Sequence, residues 1–328
     1  MKRSEFLKRF GIKLDMAVEA HDLIRGETGR EIPGVKMDKQ TFSQGEITVI
    51  NIMEPLGAQI MGKPIGTYIT IDAPVIRENN KLAHKEVTAK LAEQLGSILN
   101  LKPEDSALLV GLGNWNATPD ALGPRVIHYS LATRHLRKYG PQEIFGVLRP
   151  VSALAPGVLG ITGIETAEII KGVVDRVQPN LVIAIDALAA QSVERIGTSI
   201  QIANTGINPG SGVGNIRAGI TQEFLGVPVI AIGVPTVVNA ATIAQSVLDQ
   251  FMQQINQNPV LAKTVANLNP ISVDQAIKNV LQPYQENLMV TPKEIDDLIN
   301  NIGKIIAAGI GQALHPSVAP EDLEMLVH

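Results

Sequence analysis

Four short apolar runs constrain this chain more than anything else in it. They read SALLVGLGN (106–114), NLVIAIDALAA (180–190), TSIQIAN (198–204) and VPVIAIGVP (227–235). Each is rich in Val, Ile or Leu, and each is bounded by residues that break regular structure, so each reads as a buried strand. Among and around them lie segments with helical spacing of apolar positions: KEVTAKLAEQLGSIL (85–99), then stretches near 165–177, 237–254, 273–281 and 292–314. A helix is also expected over 124–139, with Pro124 in its first turn, and a strand near 145–151. EITVIN (46–51) and TYITID (67–72) alternate and read as paired strands. Apolar strands alternating with helices predict an α/β three-layer sandwich. Strands without a polar face predict a mostly parallel sheet, covered on both sides. Ligands of such sheets bind beyond the C-terminal strand ends.

Nothing in the 328 residues divides this core, so a single α/β domain is expected, with an N-terminal extension and a helical C-terminal region. Hydrophobic residues make up 45% but aromatics only 3%, so the core must be aliphatic. Cysteine is absent, which excludes disulfides, thiolate catalysis and Cys-based zinc sites. The formal charge of −4 is spread along the chain, with no basic stripe to bind nucleic acid. The N-terminus, MKRSEFLKRFGIKLD, is basic but lacks the apolar centre of a secretory signal, and no apolar run is long enough to span a membrane. A cytoplasmic setting follows as an expectation.

The chemistry is not written in a familiar nucleophile, zincin or P-loop motif. His128 and His135 fall seven apart on one face of the expected helix, which suits a zinc pair or ordinary surface histidines. GLGN (111–114) and NPGSGVGN (208–215) are Gly-rich without the dinucleotide spacing. They read as tight turns, or as loops that bring backbone N–H groups to a substrate. Two acids stand out more. Asp120 follows the GLGN loop and precedes a helix; Asp186 is placed at the C-terminal end of an apolar strand. Both can be helix or turn caps, or ligands of a hard cation. If they share a site, one can activate water as a base while the other donates a proton.

The segments VGLGNWNATPDALGPRVI, RPVSALAPGVLGITGIET, IAIDALAAQSVERIGTSIQIANTGINPGSGVGN, GVPVIAIGVPTVVNA and NLMVTPKEID together resemble the germination proteases of endospore-forming bacteria, peptidase family A25. The resemblance covers most of the chain and is strongest over 106–240. It implies an endopeptidase that degrades small acid-soluble spore proteins early in germination, in the spore core. It implies a zymogen that removes its own propeptide, a homotetramer, and a fold similar to that of the hydrogenase maturation endopeptidases. It assigns Asp120 and Asp186 as the catalytic pair, needing no cofactor; a divalent metal held by the same acids is the alternative. A non-enzymatic binding module built on the two Gly-rich loops is the remaining one.

The family cuts after an acidic residue that precedes an apolar one. Carried to IKLDMAVEAHD (12–22), this places the cut between Asp15 and Met16, with 1–15 as propeptide and 16–328 as the peptidase domain. A segment to be cut must stay reachable, so it is expected to lie outside the core. An acidic residue before the cut invites a cationic pocket, for which Arg125, Arg134 and Arg217 are candidates. Asn114 and the amides near Gly113 are candidates for stabilising an oxyanion. Two departures from the family pattern stand out: Leu14 where a small hydroxyl residue is expected, and a short stretch over 251–286.

Overall fold

The computed structural model describes residues 3–141, 145–208, 218–257, 270–284 and 287–326. Nine strands among them form one sheet: β1 (Val35–Phe42), β2 (Gly45–Ile52), β3 (Gly66–Asp72), β4 (Ala107–Gly111), β5 (Val151–Leu154), β6 (Leu181–Ala190), β7 (Ser199–Ala203), β8 (Val229–Asn239) and β9 (Met289–Val290). Their order is β1-β2-β3-β7-β8-β6-β4-β5, with β9 on β8. The strands β8, β6, β4 and β5 run parallel. From β8 outward, β7, β3, β2 and β1 alternate in direction, and β9 is antiparallel to β8 as well. The sheet is therefore mixed rather than mostly parallel. The expectation failed because an apolar run reports burial on both faces, not direction. β7 is buried at every position, yet it is antiparallel to both neighbours.

The period-2 alternation of a strand sorts the side chains into two cores. Ala107, Leu109, Leu181, Ile183, Ile185, Ile200 and Ile202 face one side, under the helices Lys81–Ile98, Leu122–Tyr129 and Ile295–Leu314. Leu108, Val110, Val182 and Ala184 face the other, against the helix Thr166–Val177. Further along that second face, Ile50, Ile52, Tyr68 and Ala203 pack on Met16, Val18 and Ala20 at the start of the helix Ala17–Thr28. Helices on both faces make the three layers the sequence suggests.

Two expected elements are redrawn. The helix expected over 124–139 is two helices, Leu122–Tyr129 and Arg134–Tyr139. Buried Thr133 causes the break: its hydroxyl accepts the Val151 amide at 2.9 Å and donates to the Arg149 carbonyl, pinning the chain to the start of β5. The strand expected near 145–151 begins only at Val151. β6 continues to Ala190, so Asp186 lies inside the strand rather than at its end. Its register against β8 shifts between Leu188 and Ala189.

The N-terminal segment is not left outside the core. Phe6, Leu7 and Phe10, at the helix Arg3–Arg9, pack with Ala241, Ile277 and Leu281. Met16 and Ala17 have no exposed surface. The apolar positions 6, 7 and 10 share one face of a helical turn, and burying them outweighs leaving the segment free.

Candidate active site

Asp186 faces the second side of the sheet because it shares the parity of Val182 and Ala184. It sits opposite Gly233 of β8 and is 5% exposed. Its carboxylate accepts the Ala187 amide at 2.9 Å. A Cβ at position 233 would come within 2.5 Å of the Leu188 side chain, so glycine there keeps the strands and their side chains close.

Asp120 arrives from β4. The loop after that strand turns at Gly113, whose φ is +113°, and a Cβ there would lie 2.0 Å from the Asp120 carbonyl. Only glycine fits. The next amide, of Asn114, donates to the Asp120 carboxylate at 2.8 Å and to its carbonyl at 3.1 Å. The GLGN loop thus serves the acid directly. Asn114 spends its amide on Asp120, and its side-chain oxygen accepts the Asn116 amide at 3.0 Å. Asp120 itself ends the short turn Thr118–Asp120, just ahead of the helix Leu122–Tyr129.

Both acids line one cavity of about 1010 Å³, and Asp15, Lys63 and Gln201 line it with them. The Asp15 carboxylate accepts the Ala189 amide at 3.0 Å, at the position where the β6 register shifts. The Asp15 carbonyl accepts from Lys63 Nζ at 2.7 Å and from Gln201 Nε2 at 3.4 Å. Gln201 Oε1 in turn accepts the Ala17 amide at 2.7 Å. The Asp15–Met16 peptide bond is therefore held on both sides, in extended backbone (Met16 φ −86°, ψ 132°).

The electrostatics around this bond are unusual. Lys63 is pushed below the ordinary lysine range by burial, against the pull of the Asp15 and Glu19 carboxylates. Glu19, in the first turn of the helix that follows the bond, accepts the Gln191 amide at 2.9 Å and lies 3.7 Å from Arg195 Nε. Its second oxygen is buried with no hydrogen-bond partner among the described residues. Burial raises its pKa to about 7, opposed by the Gln191 amide and the Arg195 charge.

Comparison with known proteins places the chain in a family. The family model described as germination protease matches residues 14–268 and 256–326. The germination protease of Caldanaerobacter subterraneus subsp. tengcongensis is 50% identical over 322 residues, covering 97% of this chain and 98% of that one. That of Clostridium perfringens strain ATCC 13124 is 47% identical over 324 residues, covering 97% and 100%. That of Bacillus subtilis is 40% identical over an alignment of 363 positions, covering 98% of each chain. The chain belongs to the germination protease family. It is a peptidase, a hydrolase of peptide bonds.

The other residues singled out in the sequence fall elsewhere. Arg125 lies over the Trp115 ring at 4.6 Å, on the helix Leu122–Tyr129, and does not line the cavity. Arg134 is exposed at the start of its short helix. Arg217 lies outside the described residues. His128 packs edge-on to Trp115 and Tyr129, and the break at Thr133 puts His135 on a different helix, so the two do not share one helix face. Among the described residues, no group of three His, Asp or Glu side chains is placed to hold a metal ion. No helix among them is long and apolar enough to cross a membrane.

Lys63, Gln201, Ala189 and Glu19 escaped the sequence reading. Gln201 left a signal: it is the one long polar side chain inside the apolar run TSIQIAN. Lys63, in MGKPIG, looks like any lysine in a turn.

Proposed function

We propose that this peptidase is an endopeptidase in which Asp120 and Asp186 act as the acid–base pair. It cuts after an acidic residue and before an apolar one, and its own Asp15–Met16 bond is its first substrate. The observation that carries this reading is the placement of the Asp15 main chain in the cavity both acids line. One carboxylate takes a proton from water as that water attacks the carbonyl carbon; the other, protonated, gives its proton to the departing nitrogen. The Ala189 amide on the Asp15 carboxylate supports the preference for an acid before the cut. Residues 1–15 then act as a propeptide whose last residues, Lys13 to Asp15, border the cavity until it is cut.

The resemblance in sequence supports the rest of this reading: the later substrates are small acid-soluble spore proteins, degraded in the spore core as germination begins, by a homotetramer. The decisive experiment is mass spectrometry of the full chain over time. The expected product begins at Met16. Asp120→Asn and Asp186→Asn are each expected to stay folded and uncut. Self-processing at the parent rate by either variant removes that residue from the pair.

A further inference from the structure

We propose that Lys63 and Gln201 are the carbonyl-binding pair of this peptidase, with the Lys63 ammonium as the group that stabilises the oxyanion. The proposal rests on the reading above, in which Asp15–Met16 is a bond the enzyme cuts.

Three observations carry it. Lys63 Nζ reaches the carbonyl oxygen of the bond itself, at 2.7 Å, rather than the neighbouring carboxylate. A donor to main chain acts on whatever residue precedes the cut, so its place is at the reacting atoms; the acidic side chain is met instead by the Ala189 amide. Gln201 Nε2 is the second donor to the same oxygen, and its Oε1 holds the Ala17 amide, so one side chain spans the bond and fixes the direction of the peptide. Finally, taking an ammonium even partly out of water is costly unless its charge is used. Its charged neighbours are Asp15 and Glu19, both close to the bond.

The step balances without a co-reactant beyond water. As the water oxygen bonds to the Asp15 carbonyl carbon, its proton passes to one cavity aspartate. The carbonyl π electrons move onto oxygen, and that negative charge forms against the Lys63 ammonium and the Gln201 amide. The oxyanion then collapses, the C–N bond to Met16 breaks, and the protonated partner aspartate supplies the nitrogen with its proton. Stabilisation is greatest when the charge is on the oxygen, which makes it catalytic rather than mere binding.

The test uses the full chain and follows self-processing by mass spectrometry across pH, with hydrogen exchange at the Ala17 amide as a measure of whether the segment stays seated. Lys63→Met is expected to slow the cut roughly 100- to 1,000-fold while Ala17 stays protected. Lys63→Arg is expected to recover at least about ten-fold of that loss and to lift the alkaline limit of the rate, because a guanidinium stays charged where a buried ammonium does not. Gln201→Met is expected to cost about ten-fold. If Lys63→Met fails to fold, Lys63→Gln keeps a donor without the charge and carries the same comparison.

Processing of Lys63→Met at the parent rate overturns the proposal. So does a slow cut accompanied by loss of Ala17 protection, which makes Lys63 an anchor for the segment, and so does an alkaline limit that Lys63→Arg leaves unmoved. Asp186→Asn in the same assay separates the two levels. If it is dead while Lys63→Met is fully active, only the carbonyl-binding role falls; if it cuts normally, the acid–base reading falls with it.

Discussion

The two halves of the sheet supply different things to the cavity. The parallel half, β8-β6-β4-β5, supplies the acids: Asp186 from within β6, Asp120 from the loop that β4 delivers. Its inner strands are buried on both faces, every residue of β4 and nearly every residue of β6. The antiparallel half supplies the two side-chain donors to the Asp15 carbonyl. Gln201 comes from β7, and Lys63 from the turn between the helix Pro55–Met61 and β3. That half thins toward solvent, and β1 is largely exposed. Groups that must keep their geometry through a reaction sit where packing locks them.

The sharpest way to break this division is to remove an acid. Asp186→Asn and Asp120→Asn should abolish cutting, with a residual rate at least about 1,000-fold down and an unchanged circular dichroism spectrum. The peptide-holding side should yield less, as set out for Lys63 and Gln201. Next in size comes packing. Ile183→Ala in the parallel half opens a cavity under fully buried strands and should cost about 2–5 kcal/mol of unfolding free energy in denaturant titration. Lys39→Ala on β1 removes an exposed ion pair with Glu46 and should cost under about 1 kcal/mol in the same titration.

Glu19 offers a pH-dependent test at the seam between the halves. Its folded pKa of about 7 stands above its ordinary value of 4.5, so the folded state binds the proton more tightly than the unfolded chain does. The contribution is most favourable below pH 4.5, is lost as pH rises toward 7, and is constant above that. Glu19→Gln should therefore be more stable than the parent at pH 8, by at most about 3 kcal/mol, with the difference closing in acid. Equal melting curves at pH 8 would count against a buried, poorly compensated carboxylate. Smallest of all, Arg134→Ala should leave both cutting and stability unchanged within error, since its side chain is exposed and remote from the lining of the cavity.

Much of this was legible in the sequence, for reasons that can be named. β4, β6, β7 and β8 announce themselves because strands buried on both faces cannot hide their composition. Asp120 and Asp186 stand out because each interrupts or follows such a run. Direction was not legible: TSIQIAN would look the same in a parallel strand. Nor was the break at Thr133, because a hydroxyl bonded across to the next strand looks like any threonine between two helical stretches. The Ala189 contact escaped notice for a related reason. Charge complementarity suggests a cation, but the bond at Ala189 comes from a backbone amide that a register shift places beside the Asp15 carboxylate, and no side chain advertises it.

The packing of the Arg3–Arg9 helix against Ala241, Ile277 and Leu281 has a kinetic consequence. A bond tethered into the cavity by its own chain is presented at a fixed local concentration, whatever the amount of protein in solution. If it is cut as proposed, its hydrolysis is first order, and dilution will not slow it. A free peptide added as competitor must first displace the Phe6–Phe10 anchor, so it will inhibit poorly until the cut is made and well afterwards.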